Sequence, residues 1–595
     1  MQTLFDMELR SVLLRIACLV LSAFSLGHPG LSQEKPQVFR ESLYIQTDRD
    51  LYVVGEQVWM KVYKLDARDQ RPDDFSKVVY IEVLNQAGYP VNQTKLLLPE
   101  ESGSLGLTLS DTLSSGNYLI RAYTSWMKNY PDRDFAFRTI SVINPFRSMA
   151  NIGVKSSLPV LEGADGNDGA KSGNSIHLEI SFDKQEYGPR ERIGASIRAT
   201  DSSGHPVEAD LSVSVVKSCL MEDSRRNIQD VLQFSVDPGR AVVTGGKEHT
   251  GAPVPFLPEL EGVVLGGTLL NSTTDEPIRD KNIMLSIVGK AARCQIYRTN
   301  DRGEFYFNVD ESGIQEIVVQ PVDSSVSDYY IDLKPDYHST YDHPLPGPFY
   351  LDTTKLRALN QSIINMQIER IYRAYRPHEP LQAPETSLIS FYGEPEYQIQ
   401  ISDYIQLRNI SEVIKEIVPP VSLRVKEGKS FFWMENGVDG LHFQNQALVL
   451  VDGVPYDEVD QILNIGITEL DRIEVINLRY LLDGHMFEGI IHIVTMKGKM
   501  AGLEFDHTVF RQAFAGYLEE SGFSSPEYGN DSLRNSPLPD FRNTLYWNPG
   551  LHAGENGRTA FEFYTSDDSG EYTLYLEGIS GDGKSGSLTE TLIVH

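Results

Sequence analysis

Polar and apolar residues alternate with a period of two over much of this chain, which predicts half-buried antiparallel strands. Val58, Met60 and Val62 make one apolar face, Leu178, Ile180 and Phe182 another, and Leu211, Val213 and Val215 face away from Ser212 and Ser214. Two stretches switch to the helical interval. Leu356, Leu359, Ile363, Ile364, Ile368, Ile371, Tyr372 and Tyr375 recur every three or four residues, between a cap at Asp352 or Thr353 and a stop at Pro377. A shorter helix starts at the cap Asn409, with Glu412 three residues on, runs through Val413, Ile414 and Ile417 and ends at Pro419-Pro420. Core packing accounts for both stripes more simply than partner docking. The expected fold class is mainly β, with tandem antiparallel β-sandwiches and one α+β domain.

One segment occurs twice. Asp48, Tyr52 and Glu56 are matched at equal offsets by Asp183, Tyr187 and Glu191, and a basic residue, Arg49 or Lys184, follows each Asp. Internal duplication of a sandwich is the simplest account, and these residues read as turn and corner residues rather than a site. The pattern Asp-x-x-x-Tyr-x-x-Gly-Glu-x-Val, followed by Gly116-Asn117-Tyr118-Leu119-Ile120-Arg121-Ala122-Tyr123-Thr124, resembles the macroglobulin-type sandwich of bacterial α2-macroglobulin-like proteins. The resemblance covers residues 38–145 and, more weakly, 175–220. In that family such domains are spacers, and trapping depends on a reactive thioester in a Gly-Cys-Gly-Glu-Gln motif. Cys219 lies in Lys217-Ser218-Cys219-Leu220 and Cys294 in Arg293-Cys294-Gln295, so neither fits.

Residues 221–258 mix charge with Gly and Pro, without periodicity, and read as a linker. Alternation resumes at Gly262-Val263-Val264, and Asn300-Asp301-Arg302-Gly303 is turn chemistry ahead of a strand through Phe305 and Phe307. Residues 259–335 resemble the small carboxypeptidase-regulatory sandwich, a module without peptidase chemistry. Farther on, Ala447-Leu448-Val449-Leu450-Val451-Asp452-Gly453 is followed by Asp471-Arg472-Ile473-Glu474-Val475-Ile476 and then by Gly489-Ile490-Ile491-His492-Ile493-Val494-Thr495. This order resembles the plug domain of TonB-dependent outer-membrane receptors over residues 385–500, although the Gly-rich stretch before the last strand is reduced. A receptor barrel of roughly 22 strands, each of about 10 residues, needs several hundred residues after the plug. About 95 remain, so the plug-like domain is expected to have no barrel of its own.

The 595 residues suffice for about four or five domains. We expect a signal peptide at 1–32, a macroglobulin-type sandwich at 33–148, a second sandwich at 149–220, and the linker at 221–258. The regulatory-like sandwich follows at 259–335, a helical connector at 336–384, the plug-like domain at 385–500, a connector at 501–542, and a macroglobulin-like C-terminal β segment at 543–595. The signal peptide rests on Arg10 and Arg15, the apolar run 16–26 and the cleavage-like Gly30-Leu31-Ser32 before Gln33. Asp6 and Glu8 are unusual in the charged start of such a segment, which raises translation from Met7 as an alternative. Cys18 is a poor lipidation site, because Arg15 precedes it closely and the apolar run follows it. The net charge of −30, without a Lys/Arg cluster, excludes nucleic acid as a partner. Cys219 and Cys294 fall in different expected domains, which favours two free buried thiols over a disulfide.

The remaining chemical motifs each lack a part. Gly578-Ile579-Ser580-Gly581-Asp582-Gly583-Lys584-Ser585 matches the phosphate-binding loop literally, but the alternating residues after Ser585 read as strand where a helix is needed, so a hairpin turn is expected. His485 and His492 have no third organised ligand. Asp567-Asp568 reads as a solvated turn. Asp111-Thr112-Leu113 and Asp531-Ser532-Leu533 resemble acceptor triplets for bacterial O-glycosylation. No catalytic, cofactor or metal residues are assigned, and the chain is expected not to be an enzyme. The expectation is an exported, outer-membrane-associated scaffold or binding protein, periplasmic or at the cell surface, working through protein contacts with an outer-membrane β-barrel as the natural partner. The alternatives are a substrate-binding accessory of TonB-dependent uptake and a thioester-less macroglobulin relative that interacts with proteases.

Overall fold

The computed structural model describes residues 39–147, 153–155, 175–222, 225–235, 255–323, 326–339, 345–373, 389–404 and 407–595. The expected signal peptide, most of the second half of the linker and Pro377 lie outside these residues. Eight strands form the first sandwich: β1 (Glu41–Thr47), β2 (Leu51–Val53), β3 (Gln57–Asp66), β4 (Val78–Leu84), β5 (Pro90–Leu97), β6 (Ser102–Thr108), β7 (Gly116–Thr124) and β8 (Ala136–Ile143). A three-stranded sheet, β1-β3-β6, faces a five-stranded sheet, β2-β8-β7-β4-β5. Pairing is antiparallel except between β2 and β8.

The second sandwich repeats this order strand for strand, but its chain is split. Its first four strands are His177–Phe182, Glu186–Tyr187, Arg192–Thr200 and Ala209–Lys217; its last four are Thr544–Ala553, Arg558–Tyr564, Gly570–Ile579 and Ser585–Val594. The first, third and sixth form one sheet, and the second, eighth, seventh, fourth and fifth the other. The C-terminal segment is therefore the missing half of the second sandwich rather than a separate β piece. Leu211 on one half lies opposite both Gly578 and Leu551 on the other, and Leu211, Val213, Leu574 and Leu576 are fully buried in one core. Strand pairing over so long a sequence separation leaves no trace in local alternation.

Everything between the halves is an insertion, and it is nested. A third, smaller sandwich pairs Glu304–Val309, Val263–Asn271 and Tyr329–Leu333 in one sheet. Its other sheet is Arg293–Arg298, Asn282–Ile287, Ile314–Pro321 and, from the expected 501–542 connector, Phe510–Ala515. Its core is continuous with that of the first sandwich. The α+β unit sits between its last two strands in sequence. There a sheet of Tyr397–Gln400, Leu470–Leu482, His485–Thr495, Leu448–Val451 and Val454–Pro455 packs on the helix Ile410–Ile417 and a hairpin, Val421–Lys426 with Lys429–Met434. Asn409 caps that helix by accepting the Glu412 N–H at 2.9 Å, and Ile410, Val413 and Ile414 are fully buried.

Two local expectations are revised. The strands of the duplicated sandwiches are buried on both faces where the sandwiches meet. Lys61 and Tyr63, on the outer face of β3, are 1% exposed, and Ser212 and Ser214 are inaccessible. The helix Leu356–Arg373 buries a narrow stripe, Leu359, Ile363 and Met366, against Val53, Ile143, Leu220 and Phe349, whereas Ile364 and Ile371 are 48% and 63% exposed. It docks along one edge, and Ser362 and Asn365 complete the buried face through hydrogen bonds. The linker contributes the helix Ile228–Ser235, whose Ile228 is fully buried between Tyr44, Tyr63 and Ile579. No helix of the described residues is long and apolar enough to cross a membrane.

A chain ending at residue 542 lacks half of the second sandwich. Hydrogen exchange across Ala209–Lys217 is expected to lose its protection in that truncation while β3, β4 and β7 keep theirs. Retained protection at Ala209–Lys217 would mean that the first four strands stand alone.

Candidate functional site

The repeated Asp-Tyr-Glu residues build the same corner twice. Tyr52 donates its hydroxyl to Asp48 Oδ1 at 2.7 Å and lies 2.9 Å from the Arg49 carbonyl; Tyr187 does the same with Asp183 at 2.6 Å and the Lys184 carbonyl at 2.9 Å. Glu56 accepts from the Val53 N–H and Glu191 from the Gly188 N–H, and each carboxylate pairs with the basic residue of its own copy. Gly55 and Arg190 occupy the same position with positive φ, 84° and 52°. Arg190 sustains that conformation because Asp567 holds its guanidinium through two 2.6 Å bonds and four backbone carbonyls complete its donors. A second repeated device is a tyrosine corner, with Tyr118 donating to the Ser114 carbonyl and Tyr572 to the Asp568 carbonyl. The shared Gly-x-Tyr of Gly116–Tyr118 and Gly570–Tyr572 is the sequence signal that unites the C-terminal strands with the repeat.

Surroundings separate the two copies. Asp183 and Lys184 face solvent, whereas Asp48 and Arg49 are covered by the returning chain. Asp48 Oδ2 accepts from Thr544 at 2.7 Å, Oδ1 accepts from the Trp59 N–H at 3.1 Å, and burial pushes its pKa up. Next to it, burial works against the charge of Asp50, but the guanidiniums of Arg225 and Arg138 outweigh it and hold the carboxyl below its ordinary value. Glu259 lies at the junction with the third sandwich. Its Oε1 accepts from Tyr80 at 2.7 Å and from the Val264 N–H at 2.8 Å, its Oε2 has no hydrogen-bond partner, and burial raises its pKa to about 7.

The groups that the sequence offers for chemistry are occupied structurally. The phosphate-loop-like segment is the turn of the hairpin Gly570–Ile579 with Ser585–Val594, closed by Ser580 N–H to the Lys584 carbonyl at 2.8 Å, and Lys584 pairs with Asp582. His492 is fully buried. Its Nε2 accepts from the Gly453 N–H at 2.9 Å, which places its proton on Nδ1, 2.6 Å from the Tyr392 hydroxyl. Tyr392 in turn donates to Glu474. Burial opposes the Glu474 charge, yet bonds from His492, Arg472 and Tyr392 bring its pKa to about 2. Neither ring nitrogen of His492 is left for a metal. His485, seven residues away on the same strand, bonds Asn282 instead. Among the described residues both cysteines are free, as expected; Cys294 is buried, which pushes it up to about 12, whereas Cys219, expected to be buried, is half-buried beside Ser362. Asp567-Asp568 is no solvated turn, because Asp567 chelates Arg190 and the nearly buried Asp568 pairs with Lys217. Thr112 and Ser532 are both exposed.

A cleft of about 280 Å³ opens where three pieces of chain meet at the buried corner. Gly55 and Glu56 come from the first sandwich, Asp111 from the turn after β6, Met366, Glu369 and Arg370 from the long helix, and Phe541 and Asn543 from the returning chain. Arg370 crosses the mouth to Asp111 at 2.7 Å, with both side chains about half exposed. A Cβ at Gly55 would lie 3.0 Å from Asp111 Oδ1, and the φ of 84° disfavours a side chain there whatever the space. The residues come from positions 55 to 543, so no local pattern announces the cleft.

No protein-family model matches the chain, and no curated protein matches it. Among solved structures it is similar to Salmonella alpha-2-macroglobulin reacted with methylamine, with 10% identity, 96% of this chain and 40% of that one covered, and a TM-score of 0.23. Escherichia coli alpha-2-macroglobulin activated by porcine elastase gives 11% identity, 93% and 44% coverage, and a TM-score of 0.23. The Escherichia coli adhesin FdeC gives 10% identity, 50% and 65% coverage, and a TM-score of 0.14. This chain spans less than half the length of the macroglobulins it matches.

The two corners respond differently to the same change. Asp48→Ala removes the shared acceptor of the Tyr52 and Thr544 hydroxyls and the Trp59 N–H at a buried site and is expected to cost about 2–4 kcal/mol, against about 1 kcal/mol or less for Asp183→Ala, measured by chemical denaturation. Equal costs would show that burial of the corner is immaterial. Glu259 sets a pH dependence. Its folded pKa, about 7, lies above the ordinary 4.5, so its contribution is complete below about 4.5 and is lost as pH rises through 7. The span corresponds to about 3 kcal/mol. Melting temperatures of wild type and Glu259→Gln between pH 5 and 8.5 are expected to diverge, with the variant flatter.

Proposed function

We propose that the chain is a non-catalytic, exported cell-envelope scaffold or binding protein that works at the outer membrane through protein contacts. The observation that carries this reading is the fate of its reactive-looking groups. The lysine of the phosphate-loop-like turn, the buried histidine and the two thiols all serve packing, hydrogen bonding or ion pairing.

Support for the location comes from the signal-like N-terminus and from the resemblance of residues 385–500 to a receptor plug, which makes an outer-membrane β-barrel the natural partner. Fold-level analogy of this kind supports a partner class and no more. The geometry suits a plug-like unit carried rigidly on a sandwich. The Asp452-Gly453 turn inserts against the third sandwich, with the Gly289 N–H donating to the Asp452 carbonyl at 2.9 Å. A Cβ on Gly453 would lie 3.1 Å from the Ala291 carbonyl. Asp452 is inaccessible and accepts from Thr495 N–H, Thr495 hydroxyl and Met500 N–H at 2.6–2.7 Å, so the turn is fixed from both sides.

Cross-linking in whole cells of the source organism, with partners identified by mass spectrometry, tests the reading. An outer-membrane barrel protein among the products is expected. Recovery of cytoplasmic proteins alone would sink it.

A further inference from the structure

We infer that the outer edge of the strand Val421–Lys426 is a docking site for an extended, acidic segment of a partner polypeptide, which adds to the hairpin of the α+β unit as a third strand. Three observations meet at that edge. First, its backbone groups are unspent. The turn residues Glu427 and Gly428 have φ of 53° and 82°, the two-residue form in which Lys426 and Lys429 bond each other, so bonded pairs continue at Arg424 with Phe431 and at Ser422 with Trp433. The Glu435 N–H reaches the Pro420 carbonyl at 2.8 Å, in phase with that alternation. Leu423 and Val425 therefore turn their N–H and C=O groups away from the hairpin, and among the described residues neither another strand nor a backbone bond from elsewhere reaches them. The opposite edge of the same hairpin is covered. There the Ser430 N–H ends on Asp460, in the helix Val459–Ile462, and the Met434 carbonyl accepts the Phe443 N–H at 3.0 Å.

Second, apolar area is left uncovered at the same place. Val425 is 69% exposed, and Leu423, on the same face, is half-buried against the core of the unit, whereas Val421 is buried. A strand laid along this edge covers both side chains with those of its own residues that point to that face. Strand addition works by this combination: main-chain bonds give affinity, and alternate side chains give choice.

Third, the other face of the edge is basic in an acidic chain. Arg424 and Lys426 alternate with Leu423 and Val425, so they point to the opposite side. Arg424 stacks on Trp433 at 5.2 Å from the ring centroid, and among the described residues neither cation pairs with a carboxylate. The chain has 83 acidic residues against 53 basic ones, so two neighbouring unpaired cations mark this edge out from the rest of the surface. An added strand meets cations on one side and apolar surface on the other, which selects alternating acidic and apolar residues. A second copy of this chain is disfavoured, because it would bring Arg424 and Lys426 against their own equivalents. The same charges thus exclude the copy and favour an acidic partner.

The inference deepens the reading as a binding protein and fails separately from it. Cross-linking reports the partner met in the cell, whereas the purified chain reports what its edge accepts. Hydrogen exchange of the mature protein is measured with and without an acetylated peptide of alternating glutamate and valine. The Leu423 and Val425 amides are expected to exchange rapidly alone and to slow at least about tenfold at saturating peptide. A peptide of alternating lysine and valine is expected to bind about tenfold more weakly or worse. Val425→Pro removes an N–H that the hairpin does not use and is expected to abolish binding, with an unchanged melting temperature as the folding control. Lys426→Glu, at an exposed position, is a second variant that leaves the ladder intact and is expected to weaken the acidic peptide about tenfold. Absence of slowing at Leu423 and Val425, equal binding of the lysine peptide, or a Lys426→Glu variant that binds the acidic peptide as well as wild type would each overturn the assignment. Slow exchange of these amides in the protein alone, lost on dilution, would overturn it in favour of a second copy.

Discussion

The two duplicated sandwiches meet along faces that carry polar residues, and that seam is tolerable only because the polar groups on one side answer those on the other. Lys61 reaches Asp210 and the Pro549 carbonyl, both at 2.6 Å; Tyr63 meets Ser212 at 3.0 Å; Tyr44 donates to Glu577 at 2.8 Å. At the end of the seam Asp48 receives Thr544, and Asp50 holds Arg138 and Arg225. A buried donor or acceptor left alone costs about 1–3 kcal/mol, and an isolated charge costs more. These pairs form together in only one placement of the two faces, which fixes how the sandwiches meet. The linker is drawn into the same arrangement, since the Ile228 N–H also ends on Glu577.

From that seam outward, rigidity is passed along by shared cores and covered edges. The first and third sandwiches share one apolar cluster. The edge strand Arg293–Arg298 of the third is capped by the α+β unit, where Asp483 accepts the Ile296 N–H at 2.8 Å and the Phe391 N–H reaches the Ala292 carbonyl at 2.8 Å. An exposed strand edge is a template for unwanted pairing, so this cover protects the protein while fixing the unit that sits on it. Strap residues after Phe510–Ala515 close a further edge: Leu518 exchanges backbone bonds with Lys95 and Leu97, and Ser521 accepts the Gly106 N–H.

What the sequence discloses follows the range of the interactions involved. The strand-rich fold class, the repeated corners, the Asn409 cap and the hairpin at Ser580–Lys584 depend on residues within a dozen positions of one another, and all are legible. The burial of Lys61, Ser212 and Asp568 is illegible, because each is polar in its own neighbourhood and is covered by chain well over a hundred residues distant. Asp567-Asp568 shows the difficulty well: two adjacent acids look like a wet turn until Arg190 and Lys217 arrive from the other half of the sandwich. The cleft is the extreme case, since Asn543 and Arg370, which line it, share no local pattern with Gly55.

The split sandwich also governs how the protein comes into being. Synthesis delivers the N-terminal end first, so the strands through Ala209–Lys217 emerge long before Thr544–Ala553 and its successors, which complete both of their sheets. Until then the half-built sandwich presents Leu211, Val213 and Val215 without their final cover, while an entire sandwich and an α+β unit must form in between. Contacts of such sequence separation are slow to close and leave strand edges open to strangers. A nascent chain of this design carries an incomplete sandwich until its last strands arrive.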